Sequence, residues 1–480
     1  MDDLATLDAT AQAELVRNGD ASPLELVDAA ITRIEKLNPE LNAVIHPLFE
    51  RARTAARGQL PDGPFRGVPT LVKDLDGYLA GEPYHAGNKL LKELGYRADN
   101  TSFLFEKLEA AGFVITGKTN TPEFGLLPTT ETEAYGPARN PWNTNHSTGG
   151  SSGGSGAAVA AGLVPVAHAG DGGGSIRIPA SMGGVFGLKP SRGRISLGPD
   201  EGEGWAGLVV RHVITRSVRD SAAVLDALEG YMPGDPYAAA PPERPYRDEV
   251  GVNPGPLRIG IRTVAPGHLA QTDDECVAAT EDAARLLESL GHSVEPAGPA
   301  ALDEAAIMEH FSAVMFAGTR ADIIELERIA GRPVTEADVE PATWMTAQMA
   351  AMVEGGAYVT AVANLHRWCR RVVSWWLDDG FDLLLTPTLA EPPPEIGDVV
   401  AQPDEPYRAL ARAIPFAVYT GPFNMTGQPA VSVPTYFAAS GLPIGVQLVA
   451  APFREDVLVR VSSQIEQAQP WADRRPPLHA

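Results

Sequence analysis

The 480-residue sequence predicts an α/β fold, and three observations carry that prediction. From residue 58 onward, short apolar and β-branched runs alternate with helical stretches, the pattern of a sheet flanked by helices. The chain is 44% hydrophobic and 21% charged, which gives a folded core ample apolar surface. Strand-like runs also stand on both sides of the best linker candidate, so the two halves are expected to share one sheet in a single domain spanning 1–480.

Residues 8–57 have helical periodicity and predict a helical N-terminal segment. Ser22-Pro23-Leu24-Glu25 marks one start: an N-cap serine, a proline at the first helical position and a capping-box glutamate. Beyond Gly58, residues 68–72, 113–116 and 164–168 read as strands, with helices over 101–111 and 155–162 between them. Residues 233–256, rich in proline and acidic side chains, predict a long surface loop. On its far side 257–261 reads as a strand, and Thr272-Asp273-Asp274-Glu275 as a capping box opening a helix that runs to Leu290. Two longer helices are expected over 303–330 and 343–378. The second carries Trp344, Trp368, Trp375 and Trp376, read as core or pocket wall. Residues 381–385 and 431–436 return to strand character.

The net charge of −23 disfavours phosphate backbones and anionic lipid, so neither nucleic acid nor a membrane surface is expected as a partner; a neutral or cationic small substrate fits better. Cys276 and Cys369 make no disulfide framework and no metal-ligand spacing. The acidic Met1-Asp2-Asp3-Leu4 start has no apolar leader, and no run of about 18 apolar residues occurs, so the expected location is cytoplasmic.

The densest chemical signal runs from Thr148 to Ser181. Glycine at this density costs chain entropy, and a flexible linker has no use for the Ala-rich helix former and apolar strand lying between the glycine runs. Two glycine-rich turns instead bring backbone N–H groups and two serines close together, as an oxyanion hole requires. Gly172, Gly173 and Gly174 would aim N–H groups at a developing oxyanion, with Ser175 following directly as nucleophile.

This segment resembles the amidase signature, G-G-S-S-G-G-S followed by G-x-D-x-G-G-S-x-R-x-P-A. The resemblance implies Ser175 as nucleophile, Ser151 as a relay held by a cis peptide bond, and Lys73, in Gly67-Val68-Pro69-Thr70-Leu71-Val72-Lys73-Asp74, as the base. Asp171 and Arg177 are similar to residues that brace the glycine loop. Gly172 departs from the pattern, since many members carry threonine there; the backbone donor is kept. Residues 117–124, 135–142, 187–191 and 423–430 also look like family blocks, so the likeness covers nearly the whole chain. It implies a mixed β-sheet core with helices on both faces, an acyl-enzyme route to amide hydrolysis, and no cofactor or metal. Within the family, residues 8–16, 331–340 and 470–476 look most like 6-aminohexanoate cyclic dimer hydrolases and urethane-cleaving amidases, so an amide or carbamate substrate is expected. A lysine serves as base only where burial draws its pKa from about 10.4 towards neutrality.

Two other motifs compete. Gly112-Phe113-Val114-Ile115-Thr116-Gly117-Lys118-Thr119 spells a P-loop, but its middle is an apolar strand and Pro122 follows where the phosphate-binding helix would run. Gly149-Gly150-Ser151-Ser152-Gly153 spells a nucleophile elbow, yet the polar stretch 140–148 is expected to supply no strand before it. A Ser-His-Asp hydrolase, with His168 or His212 as base, is the runner-up chemistry, and a non-catalytic binding protein on the same fold is the alternative of another class.

Overall fold

The computed structural model describes residues 2–401, 405 and 407–480. The N-terminal segment is helical where capping and periodicity agree: α1 (Ala9–Asn18), α2 (Pro23–Leu41) and α3 (Phe49–Arg57). Ser22 accepts from the Glu25 N–H while the Glu25 carboxylate accepts from the Ser22 N–H, closing the expected capping box. Between α2 and α3, however, lies a strand, β1 (Val44–Pro47). Its pairing with a buried strand overrides the helical periodicity expected through residue 57.

Among the described residues ten further strands join β1 in one sheet: β2 (Pro69–Lys73), β3 (Val114–Thr119), β4 (Val166–Asp171), β5 (Phe186–Lys189), β6 (Val210–Thr215), β7 (Arg258–Ile261), β8 (Ser293–Pro296), β9 (Leu383–Pro387), β10 (Ala430–Phe437) and β11 (Pro443–Ala450). Their order is β1-β3-β2-β4-β6-β5-β10-β11-β9-β7-β8. The sheet is mixed: β3, β2 and β4 run parallel, as do β9, β7 and β8, and the strands between them are antiparallel.

Alternation along the strands sends side chains to opposite faces. Val166 faces one core while Ala167 and Ala169 face another; Leu383 and Leu385 are likewise separated from Leu384. On the first face pack α4 (Phe103–Ala110), α7 (Asp274–Ser289) and α10 (Glu455–Ala468). The second face takes α2, α5 (Gly153–Ala160) and α6 (Arg177–Gly183) at one end, and α8 (Ile307–Ala330) with α9 (Gly355–Asp378) at the other. Helices on both faces of a mixed sheet are the architecture the sequence predicts.

Three local expectations are corrected. Asp273, not Thr272, caps α7, accepting from the Glu275 N–H at 2.8 Å, while the Thr272 hydroxyl is engaged with Tyr419 and the Thr263 carbonyl. The helix expected over 343–378 is two helices, Pro341–Met349 and α9, broken around Val353 and Glu354; the following Gly355-Gly356 pair is a poor helix interior and sits at the new first turn. A strand does precede Ser151: Asn143–Ser147 pairs with Arg139–Asn140 in a two-stranded ribbon outside the main sheet. The loop at 233–256 contains a 3-10 turn, Tyr246–Glu249, that pins it through buried Tyr246. Among the described residues no helix is long and apolar enough to cross a membrane.

Candidate active site

Parallel strands β2 and β4 end in Lys73 and Asp171, so the two residues leave the sheet on the same edge, where α/β proteins gather their chemistry. The glycine-rich turn before α5 brings Ser151 to that edge, and the Gly150–Ser151 peptide bond is cis. Ser152 and Ser155 fasten α5 to β4 by donating to the carbonyls of Gly170 and His168, at 3.2 and 2.7 Å.

Lys73 is fully buried, and its Nζ lies 2.7 Å from Ser151 Oγ and 2.6 Å from Asp76 Oδ2. Burial pulls the ammonium below the ordinary lysine range, and the Asp76 carboxylate opposes that pull without cancelling it. Asp76, one turn past the strand, is the residue the motif reading misses; the spacing Lys73-Asp74-Leu75-Asp76 was its signal.

Asp171 organises the second glycine run. Its Oδ1 accepts from the Gly174 N–H at 2.7 Å, its Oδ2 from the Ile176 N–H at 3.2 Å, and Arg177 donates to both oxygens at 2.9 Å. Burial raises the Asp171 carboxyl, but the Arg177 guanidinium outweighs it and holds the group down at about 2. Arg177 also reaches the Thr420 carbonyl, Gln447 and Asn424, so the brace is anchored on distant parts of the chain. Gly174 has φ +138°, and a Cβ there would stand 2.3 Å from Thr420 Oγ1, so only glycine fits. The Gly174 N–H thus points into the brace. Gly172, Gly173 and Ser175 instead line a cavity of about 790 Å³ together with Ser151, and the Ser175 hydroxyl bonds to no other described residue.

Most of the cavity wall is apolar, including Phe124, Leu126, Trp205, Met308, Phe311 and Phe316. Trp205 stands with its ring over Gly318 of α8, where a Cβ would lie 2.5 Å away. Trp368 reaches the cavity from α9, whereas Trp375 and Trp376 are core.

Neither candidate histidine contacts these serines. His168 is buried in β4, accepts from the Lys73 N–H at Nδ1, and lies edge-on to Phe105; burial keeps it well below its ordinary pKa and neutral. His212, on β6, has its Nε2 3.2 Å from Ser221 Oγ. The P-loop lysine, Lys118, is on β3 with its Nζ 2.6 Å from Asp74. His46, Asp74 and His85 are the one set of metal-ligating side chains gathered among the described residues. There Lys118 supplies the positive charge, and His85 is bonded to Tyr135.

Residues 25–459 match the amidase family. The chain belongs to the amidase signature family of amide hydrolases. Over 478 residues it is 46% identical to a 6-aminohexanoate-cyclic-dimer hydrolase of Paenarthrobacter ureafaciens, covering 98% of this chain and 96% of that one. A solved structure of 6-aminohexanoate cyclic dimer hydrolase superposes with a TM-score of 0.95 at 46% identity, over 99% of both chains. A bacterial aryl acylamidase of the amidase signature family matches with a TM-score of 0.87 at 28% identity, over 97% of each.

Proposed function

We propose that this amidase cleaves small amides through an acyl-enzyme, with Ser175 as nucleophile, Ser151 as relay and Lys73 as base. The observation that carries the reading is the buried Lys73 Nζ, hydrogen-bonded to Ser151 Oγ on the cavity wall that Ser175 shares. Ser175 Oγ bonds to the carbonyl carbon as its proton passes to Ser151 and the Ser151 proton to neutral Lys73. The oxyanion is held by the N–H groups of Gly172, Gly173 and Ser175, with Gly174 turned into the Asp171–Arg177 brace instead. Each such donor contributes about 3 to 4 kcal/mol of transition-state stabilisation. Returning the proton to the amide nitrogen breaks the C–N bond and releases the amine. Water then repeats the cycle on the ester, giving the carboxylic acid and free Ser175.

The apolar cavity and the likeness to cyclic dimer hydrolases favour compact oligomeric amides. A carbamate passes through the same bond changes, so urethane cleavage belongs to the same proposal, as does ester cleavage. The test is fluorophosphonate labelling followed by intact mass on wild type and Ser175→Ala, with turnover of an anilide and an aryl carbamate. Labelling is expected to vanish in the variant and turnover to fall at least about a thousandfold. A variant that still labels and turns over would return the nucleophile's role to another residue.

A further inference from the structure

One wall of the cavity is α8, whose Met308, Phe311, Met315, Gly318, Asp322 and Glu325 recur at three- and four-residue spacing. Asp322 and Glu325 are the two carboxylates in an otherwise apolar stripe. Among the described residues five other carboxylates line the cavity, and each has a partner. Asp76 pairs with Lys73, Glu201 with Arg211, Glu304 with Arg371 and Glu325 with Arg328, while Glu203 accepts from the Tyr237 hydroxyl. Asp322 bonds to no described residue. It is enclosed by protein, and the surface it keeps faces the cavity.

Among the described residues no lysine, arginine or histidine lines the cavity. Close to Asp322 stand the carboxylates of Asp76 and Glu201; Asp76 is bonded to Lys73, the proposed neutral base, and Glu201 is paired with Arg211, so no cation is left for Asp322. One carboxylate is left over. Burial, with Glu201 and Asp76 close by, pushes the Asp322 carboxyl up to about 8, as expected of an acid short of one counter-charge. A ligand cation would supply it.

We propose that Asp322 recognises a primary ammonium group on the substrate, so that the enzyme selects aminoalkyl amides over neutral ones and, most strongly, over carboxylate-bearing ones. The inference rests on this cavity being the amide-hydrolysing site. The ammonium donates to Asp322 while the methylene chain lies along Met308, Phe311 and Met315; a terminal carboxylate meets acids alone and finds no cation.

The test compares the p-nitroanilides of 6-aminohexanoic acid, heptanoic acid and adipic acid (the last as its mono-anilide), which are matched in length and differ in the terminal group. Wild type is expected to prefer the ammonium substrate over heptanoyl by about tenfold or more in kcat/KM, with the adipoyl substrate poorest. That ratio is expected to collapse towards one in Asp322→Asn and to persist in Asp322→Glu. Independently of turnover, n-hexylammonium is expected to raise the melting temperature of wild type and not that of Asp322→Asn, and hexanoate to raise neither. A wild type without preference, or a preference that survives Asp322→Asn, overturns the inference. Absence of heptanoyl anilide turnover would instead count against the amidase reading of the cavity, and the melting experiment still decides the role of Asp322.

Discussion

Lys73 receives opposing pushes: burial drives its proton off, and Asp76 at 2.6 Å holds it on. If Lys73 is the base, the acid limb of the kcat/KM profile reports its deprotonation, and activity rises with pH through that limb. Replacing Asp76 by asparagine removes the group that raises the lysine pKa. The limb in Asp76→Asn is therefore expected at lower pH than in wild type, measured as kcat/KM on a neutral anilide; an unmoved limb, or one shifted upward, would remove Lys73 from that role. Arg177 tests the brace rather than the chemistry. Arg177→Met leaves the Asp171 carboxylate buried and unpaired, so a loss of about 3 to 5 kcal/mol is expected, read as a lower urea midpoint. The resemblance to the amidase signature singles out Lys73, Ser151 and Ser175; the two serines line one cavity, and buried Lys73 reaches it through Ser151. Which glycine N–H faces the cavity is not written in the motif, because Asp171 decides it through a hydrogen bond formed only in the folded turn.

At the scale of elements, patterning reads the strands and helices well wherever local preference and tertiary packing agree, as in α2 with its capping box and β4 with its continuous burial. It fails at β1, a four-residue strand whose existence depends on a partner some seventy positions away, Thr119 opposite Val44. Of the cavity it gives the loop at 198–207, a glycine-rich stretch holding one large aromatic, Trp205, but not the rest, because the wall is also assembled from α8 and the turns after β2 and β4, which share no sequence period. The contact between α8 and that loop is testable through Gly318. Alanine there would bring its Cβ against the Trp205 ring and displace the indole, although alanine favours the helix by about 1 kcal/mol. Gly318→Ala is therefore expected to lower kcat/KM for an aryl amide by roughly tenfold or more without lowering the melting temperature. Activity at the wild-type level would mean that Trp205 does not shape the bound substrate.

For the whole molecule, the question is whether the loop at 233–256 separates two folding units. The sheet argues that it does not. Strands β10 and β11 come from beyond the loop yet pair in line with β5 from before it, with Ala430 opposite Lys189. Charged contacts cross the same boundary: buried Arg194 pairs with Glu455 at 3.2 Å, and Arg177 reaches Asn424 and Gln447 at 2.6 Å. Trp471, near the C-terminus, donates to the Arg216 carbonyl at 2.7 Å and packs its ring over Phe186. A fragment ending near residue 232 would expose the β5 edge and leave Asp171 and Arg177 without Asn424, so neither sheet nor glycine turn would be complete. Chains longer than about 150 residues commonly unfold through intermediates, which makes the expectation here discriminating. We expect one calorimetric transition whose van't Hoff and calorimetric enthalpies agree, with activity and far-UV dichroism lost together, and no native-like fold for the fragment 1–232. Two resolved transitions, or a cooperatively melting fragment, would show that the shared sheet does not bind the halves into one unit.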